Sequence, residues 1–375
     1  MIPAFDTPVD VLDALIAGCG DVKSVIIVDD GSATPIHPIT GAVVVRHESN
    51  RGPGAARSTG LALAGTELVA FVDTDVVLAE GWLPPLVAHF ADDRVAAVAP
   101  RVASLPGDSL LERYETLHSP LDLGPTAARV RAGSRVSYVP SAAMVVRLED
   151  IRAIGGFDET LRVGEDVDLV WRLDEAGKRV RYEPASTVHH RPRPTMAGWA
   201  RQRFDYGSSA APLASRHEGA LAPVRVSGWT AAAWLSASAG CPVGGGLIAT
   251  VTTALLARKL GDVPDGPKEA VRLAGLGHLY AGRSLAGALT RAWWPAAVVA
   301  ASFSSRCRRI LLLAAFGPPT IDWIVKRPPI NPVAYVGLRV VDDLAYGAGV
   351  ARGAIAERSL AAVKPDFRSW PGGGD

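Results

Sequence analysis

The chain has 375 residues, 39 Lys and Arg against 38 Asp and Glu, and 48% hydrophobic residues. At roughly 150 residues per domain this length predicts two or three domains, and the apolar content excludes wholesale disorder. A net charge of +1 argues against a nucleic-acid partner, and three cysteines without close pairing exclude a disulfide scaffold or zinc ribbon; a mean hydropathy of +0.18 is high for a soluble enzyme.

Met1 to Asp10 hold no basic stretch followed by an apolar run, so no signal peptide is predicted. Met1-Ile2-Pro3-Ala4-Phe5-Asp6 reads as the tail of a strand running into a loop, with the hydrophobic strand itself missing. The expectation is a start displaced within a longer gene, with an apolar strand encoded in frame upstream. Residues 9–17 have apolar positions at helical spacing, stopped by Gly18 and Gly20. Residues 24–28 form a β-branched strand that ends at Asp29-Asp30-Gly31-Ser32. A second strand at 42–45, the loop Asn50 to Gly54 and a helix at 55–64 lead to a strand at 68–72, capped by Asp73-Thr74-Asp75. These near-continuous apolar runs predict burial on both faces of a parallel sheet.

Further on, a helix is expected near 81–90, a strand at 95–99, a Pro- and Gly-containing insert to about 135 and strand elements over 136–146. An amphipathic helix at 165–176, closed by Gly177, and a short strand at 180–183 complete the alternation. Its end near residue 215 predicts an α/β domain over 1–215 and a helical region over 216–375. In the latter, residues 226–257 carry no charge and exceed the roughly 20 residues that span a bilayer. Gly240 to Gly246 break the run into halves too short to span alone. Trp293-Trp294, then Arg306, Arg308, Arg309 and the apolar run 310–316, resemble an interfacial helix. Membrane contact through 226–316 is one reading; helices packed on the first domain or in a dimer interface are the other.

In an open α/β sheet, ligands bind beyond the carboxyl ends of the strands, where Asp29-Asp30 and Asp73-Thr74-Asp75 both lie. Carboxylates there accept hydrogen bonds from a base or ribose, although Asp-Gly-Ser alone favours a turn. Asp73 and Asp75, flanking one residue, can hold a hard divalent cation that bridges to a diphosphate. Arg51-Gly52-Pro53-Gly54-Ala55-Ala56-Arg57 offers backbone N–H groups and a cation for the nucleotide. Glu165 and Asp166 open the amphipathic helix; acids at that position cap helices, and Asp166 is the candidate general base.

Pro3 to Asp6, Val28 to Ser32, Asp73 to Asp75, Gly155-Gly156-Phe157 and Glu165-Asp166 together resemble the inverting glycosyltransferases of family 2, over roughly the first 200 residues. The resemblance implies a GT-A, Rossmann-like nucleotide-sugar-binding fold with its first strand missing here, followed by an all-α region. It further implies donor contacts from Pro3, Phe5, Asp29, Asp30, Arg57 and Asp73, and Mn2+ or Mg2+ held by Asp75 and Asp73. Asp166, with Glu165 beside it, becomes the catalytic base. Some enzymes of this fold add a metal ligand where His190 stands, with a solvated His189-His190 pair as the favoured alternative.

Tyr114-Glu115, Ser119 to Gly124, Val136 to Ala143, Gly164 to Leu173 and Tyr206 to Leu213 look like the mycofactocin-biosynthesis glycosyltransferases. That family builds a β-1,4-glucan on a peptide-derived redox cofactor, which implies UDP-glucose as donor and a metal-dependent inverting hexosyltransferase. The Gln-x-x-Arg-Trp signature of processive synthases is absent from residues 201–207. A polyprenyl phosphate or cell-envelope glycan acceptor, or a degenerate sugar-binding protein, are the competing readings. The expected location is the cytoplasm, or the inner face of the cell membrane if the apolar tract meets lipid.

Overall fold

Runs of Val, Ile and Ala that end at acids or turn formers build the sheet of the computed structural model, which describes residues 1–368. The first elements are β1 (Ile2–Ala4), α1 (Val9–Gly18), β2 (Val25–Asp29), β3 (Ala42–Arg46), α2 (Pro53–Leu63) and β4 (Leu68–Val72). Next come β5 (Val76–Val77), α3 (Pro84–Val87), β6 (Val95–Ser104), α4 (Leu110–His118), β7 (Ala128–Val130) and β8 (Ala143–Arg147). The α5 (Leu148–Ala153), α6 (Glu165–Glu175) and β9 (Arg179–His190) segments follow.

Strands β1, β2 and β3 are parallel, in register Ile2↔Ile27 and Val25↔Ala42. A second set runs β4-β8-β6-β9-β5; β8 is antiparallel to β4 and β6, while β6 and β9 are parallel. Met1 joins the sets: its amine donates to the Ala70 carbonyl at 2.8 Å and its carbonyl accepts from the Val72 N–H at 3.1 Å. Ile-Pro-Ala, expected as the tail of a strand, forms β1 between β2 and the end of β4, with Ile2 and Ala4 buried. A cavity of about 180 Å³ lies beside Met1, lined by Val25, Ile26, Leu68, Trp82 and Val145 among others.

Every residue of β2 and β8 is buried, as two-sided covering requires. Leu12 and Leu15 of α1 pack with Ile2, Ile27, Val72 and Val98 in the core. Several elements differ from the sequence expectation. The helix near 81–90 is α3 followed by a 3-10 turn at Ala88–Ala91; the insert holds α4 and β7; and β6 and β9 extend to Ser104 and His190. The longer β9 alternates buried and half-buried residues for most of its length, and a register shift at Pro100/Arg101 lets β6 follow it.

The chain divides into two units, Met1–Gln202 with Arg216–Ala220, and Arg203–Ser215 with residues from Leu221 onward. Its later elements are α7 (Met196–Ser208), α8 (Ala210–Arg216), β10 (Arg225–Ser227), α9 (Gly228–Ser238), α10 (Pro242–Lys259) and α11 (Gly266–Ala270). A π-helical stretch at Val271–Gly275 leads to α12 (Leu276–Arg291), α13 (Trp294–Phe303), α14 (Ser305–Lys326), α15 (Pro332–Ala356) and β11 (Asp366–Arg368). The second unit is thus helical apart from a parallel pair, β10 and β11, that the all-α expectation lacked. The uncharged tract folds as α9 and α10 with its break at residues 239–241, and α10 continues through Gly244 to Gly246. Among the described residues no helix is long and apolar enough to cross a membrane.

Candidate active site

Four acids converge where β4 ends and α6 begins. Asp73 follows β4, its N–H donating to the Ala142 carbonyl at 2.9 Å, and Asp75 precedes β5. Glu165 and Asp166 form the first turn of α6, whose N-terminal partial positive charge favours anions. Gly164 enters that helix at φ +85°, a left-handed conformation in which a side chain is strained.

Arg57 links these elements. It projects from α2, is 2% exposed, and donates from Nη1 to Glu165 Oε1 at 2.7 Å and from Nη2 to Asp73 Oδ1 at 2.6 Å. Its guanidinium also lies 5.7 Å from the Phe157 ring centroid. Burial opposes its charge, but the fields of Asp73 and Glu165 outweigh that and raise its pKa. The half-buried Asp166 accepts from the Ser141 N–H at 3.2 Å, which fixes one carboxylate oxygen against the start of β8.

Burial is the largest influence on all four acids. It raises Asp73 and Asp166 against the opposing charge of Arg57. Burial together with the Asp166 charge pushes Glu165 up to about 7. At Asp75 burial is overcome by the His190 hydrogen bond and the charges of His190 and Arg193, and its pKa is lowered. His190 Nε2 lies 3.0 Å from Asp75 Oδ2, and Arg193 Nη2 lies 3.4 Å from the same oxygen.

The acids after β2 have a different setting. Asp29 is wholly buried and accepts from the Ser32 N–H at 2.9 Å, the Ile36 N–H at 3.1 Å and Arg46 at 2.5 Å. Asp30 accepts from the N–H groups of Arg51 (3.0 Å) and Gly52 (2.8 Å), and its Oδ1 lies 2.7 Å from His47 Nδ1. Both carboxylates therefore shape the loops at the sheet edge, at 31–36 and 50–54, and Asp6 N–H donates to Ser32 Oγ at 2.9 Å to tie in the loop after β1. Pro3 sits within β1, and Phe5 is half exposed just beyond it. Trp171 and Trp199 are core side chains at 3% and 0% exposure. Sequence reading missed Ser141, His47 and Arg193. No motif marks them, because each acts through a partner at least 17 residues away.

Among the described residues no three His, Cys, Asp or Glu side chains converge to hold an ion. Asp75 and His190 are in contact, and Asp73, two residues before Asp75, is paired with Arg57; Asp75 and Asp73 offer the hard oxygen donors that Mn2+ or Mg2+ would require, with further oxygens from a ligand.

A parallel-edged α/β sheet with acids, a buried arginine and a helix N-terminus at its carboxyl end is an arrangement that can receive an anionic ligand. The family model for glycosyl transferase family 2 matches residues 6–151. The pre-mycofactocin glycosyltransferases of Mycobacterium tuberculosis, strains CDC 1551/Oshkosh and H37Rv, are each 46% identical over 362 residues, covering 92% of this chain and 77% of theirs. The chain belongs to glycosyltransferase family 2 and is a glycosyltransferase. A mannosyltransferase of Pyrobaculum calidifontis, solved with GDP-Man and Mn2+, aligns at a TM-score of 0.45 and 17% identity over 74% of this chain and 86% of its own.

Proposed function

We propose that the chain transfers a hexose, glucose from UDP-glucose, to a hydroxyl of pre-mycofactocin with inversion at the anomeric carbon. The observation that carries this reading is Asp166: a carboxylate at a helix N-terminus, steadied by the Ser141 N–H and set beside the Arg57-bridged pair Asp73 and Glu165. A base so held removes the acceptor hydroxyl proton as its oxygen attacks. Burial raises the Asp166 pKa and so increases its basicity, while Arg57 keeps the ionised form accessible. Glu165 orients Arg57, and Arg57 in turn aims Asp73 at the donor.

The loops shaped by Asp29 and Asp30 form the nucleoside subsite, with Phe5 and Pro3 at its rim. Asp75 and His190, with Asp73, would hold Mn2+ or Mg2+, whose charge offsets that building on the leaving diphosphate. Support for the acceptor comes from the 46% identical relatives, which are pre-mycofactocin glycosyltransferases, and for a β-1,4-linked product from the family resemblance in residues 114–213.

The test incubates the protein with UDP-glucose, Mn2+ and pre-mycofactocin, and follows acceptor mass and UDP release. Asp166→Asn is expected to lower kcat by roughly 10²–10⁴-fold with little change in donor KM. Transfer that survives this substitution within a few-fold overturns the base assignment. Chelation by EDTA is expected to stop transfer, and added Mn2+ to restore it; full activity in EDTA would remove the metal from the reading.

A further inference from the structure

The second unit turns an apolar side of α14 outward. Its exposed positions recur every three or four residues: Arg308 and Arg309, Leu312 and Leu313, Phe316, then Ile321, Ile324 and Val325. Leu313 is 71% and Val325 75% exposed, and Phe303, at the end of α13, is 88% exposed. The inward side packs against α12 and α15, where the one acid of α14, Asp322, is 7% exposed and bidentate to Arg283 at 2.7 and 2.5 Å. This inverts the usual helix of a water-exposed domain, which buries its leucines and exposes its charges.

Cations stand at both ends of the stripe. Arg306, Arg308 and Arg309 occupy the first turn and Lys326 and Arg327 the last residues, and no acid other than Asp322 occurs between 294 and 327. Neither Arg308 nor Arg309 has an ion-pair partner among the described residues. The α10 helix repeats the pattern independently: Val243, Leu247, Val251 and Leu255 are exposed at four-residue spacing and end at Arg258-Lys259, with no acid in residues 226–261. The turn before α10 meets the start of α14, where Arg306 Nη1 donates to the Ala239 carbonyl at 2.8 Å.

We propose that the α13–α14 pair lies on an anionic lipid surface, with Phe303, Leu313 and Val325 entering the acyl boundary and Arg308 and Arg309 on the headgroups. Charge selects lipid over a second copy of the chain. A two-fold pairing of this face would set its cations against one another with no acid to answer them, whereas anionic headgroups complement them. The helix lies in the interface and does not cross it. Its Pro318-Pro319 pair, its arginines and Asp322 deny it an apolar span, and none of the described helices is long and apolar enough to cross.

The test floats the full chain with vesicles of phosphatidylcholine alone or mixed with phosphatidylglycerol. Binding is expected on the anionic vesicles only and should weaken with added salt. Arg308→Glu/Arg309→Glu, at exposed positions that do not enter the core, should reduce it by on the order of tenfold. Leu313→Glu should reduce it as well, with the thermal midpoint of both variants unchanged. Absence of flotation, flotation of either variant undiminished from the parent's, or a dimer that Leu313→Glu converts to monomer would each overturn the proposal.

Discussion

Arg57 carries more of the site than any one acid. Its guanidinium is buried between Asp73 and Glu165, and removing one member of such a group leaves buried charge uncompensated. Arg57→Met is therefore expected to lower stability by about 3–5 kcal/mol in chemical denaturation. The same change removes the cation that lowers the Asp166 pKa. The acid limb of the kcat/KM profile should then move to higher pH; an unmoved limb would separate Arg57 from the base. Asp73, Asp75, Glu165 and Asp166 were legible in the sequence because each sits where an element starts or stops. The partnership of Arg57 with Glu165 was not, since the two are 108 residues apart and only the packing of α2 against the start of α6 joins them.

Among the elements, the turn after β2 shows how backbone geometry supports the sheet edge where the nucleoside subsite is proposed. Gly31 has φ +77°, and a Cβ there would lie 2.5 Å from the Ser49 carbonyl carbon. Gly31→Ala is expected to cost about 1 kcal/mol for the left-handed backbone alone, and more from the contact with main chain that cannot move aside. A lowered thermal midpoint together with a raised donor KM would register both effects, and an unchanged protein would mean that the loops at 31–36 and 49–50 separate freely. Strands β2 and β4 could be read directly, because burial on both faces leaves an unbroken apolar run. The full length of β9 could not, for its RVRYEPASTVHH mixes charge, proline and histidine. Its alternation was a usable signal, and so was the Ser109/Glu112 capping box that starts α4 inside the presumed insert.

For the whole molecule, two groups of carboxylates pull stability in opposite directions with pH. Burial disfavours the ionised Asp29, but hydrogen bonds from Ser32, Ile36 and Arg46 outweigh it, and its folded pKa lies below the unfolded value. That contribution is complete above the ordinary carboxylate range and is lost as pH falls through the lowered value. Glu165 is the reverse: pushed from 4.5 to about 7, it stabilises fully below pH 4.5, and the contribution is lost as pH rises through about 7. The ligand-free protein should be most stable between these limits, on the acid side of neutrality. Glu165→Gln should flatten the decline toward pH 8 in a series of thermal melts, and a decline identical to the parent's would place its cause elsewhere.

The α/β class, the order of the strand-end acids, the family and the unusual second half were all determined by residues close together in sequence. Apolar runs, turn formers and terminal carboxylates are local signals, and local signals survive without a structure. The rest depended on groups brought together from far apart. β1 joins the two sets of strands because Met1 bonds to β4, some 70 residues on. Asp29 and Asp30 turn inward because the N–H groups of distant loops converge on them. The uncharged tract became α9 and α10, and α14 turns an apolar stripe outward because its packing against α12 and α15 fixed which side faced away from the core.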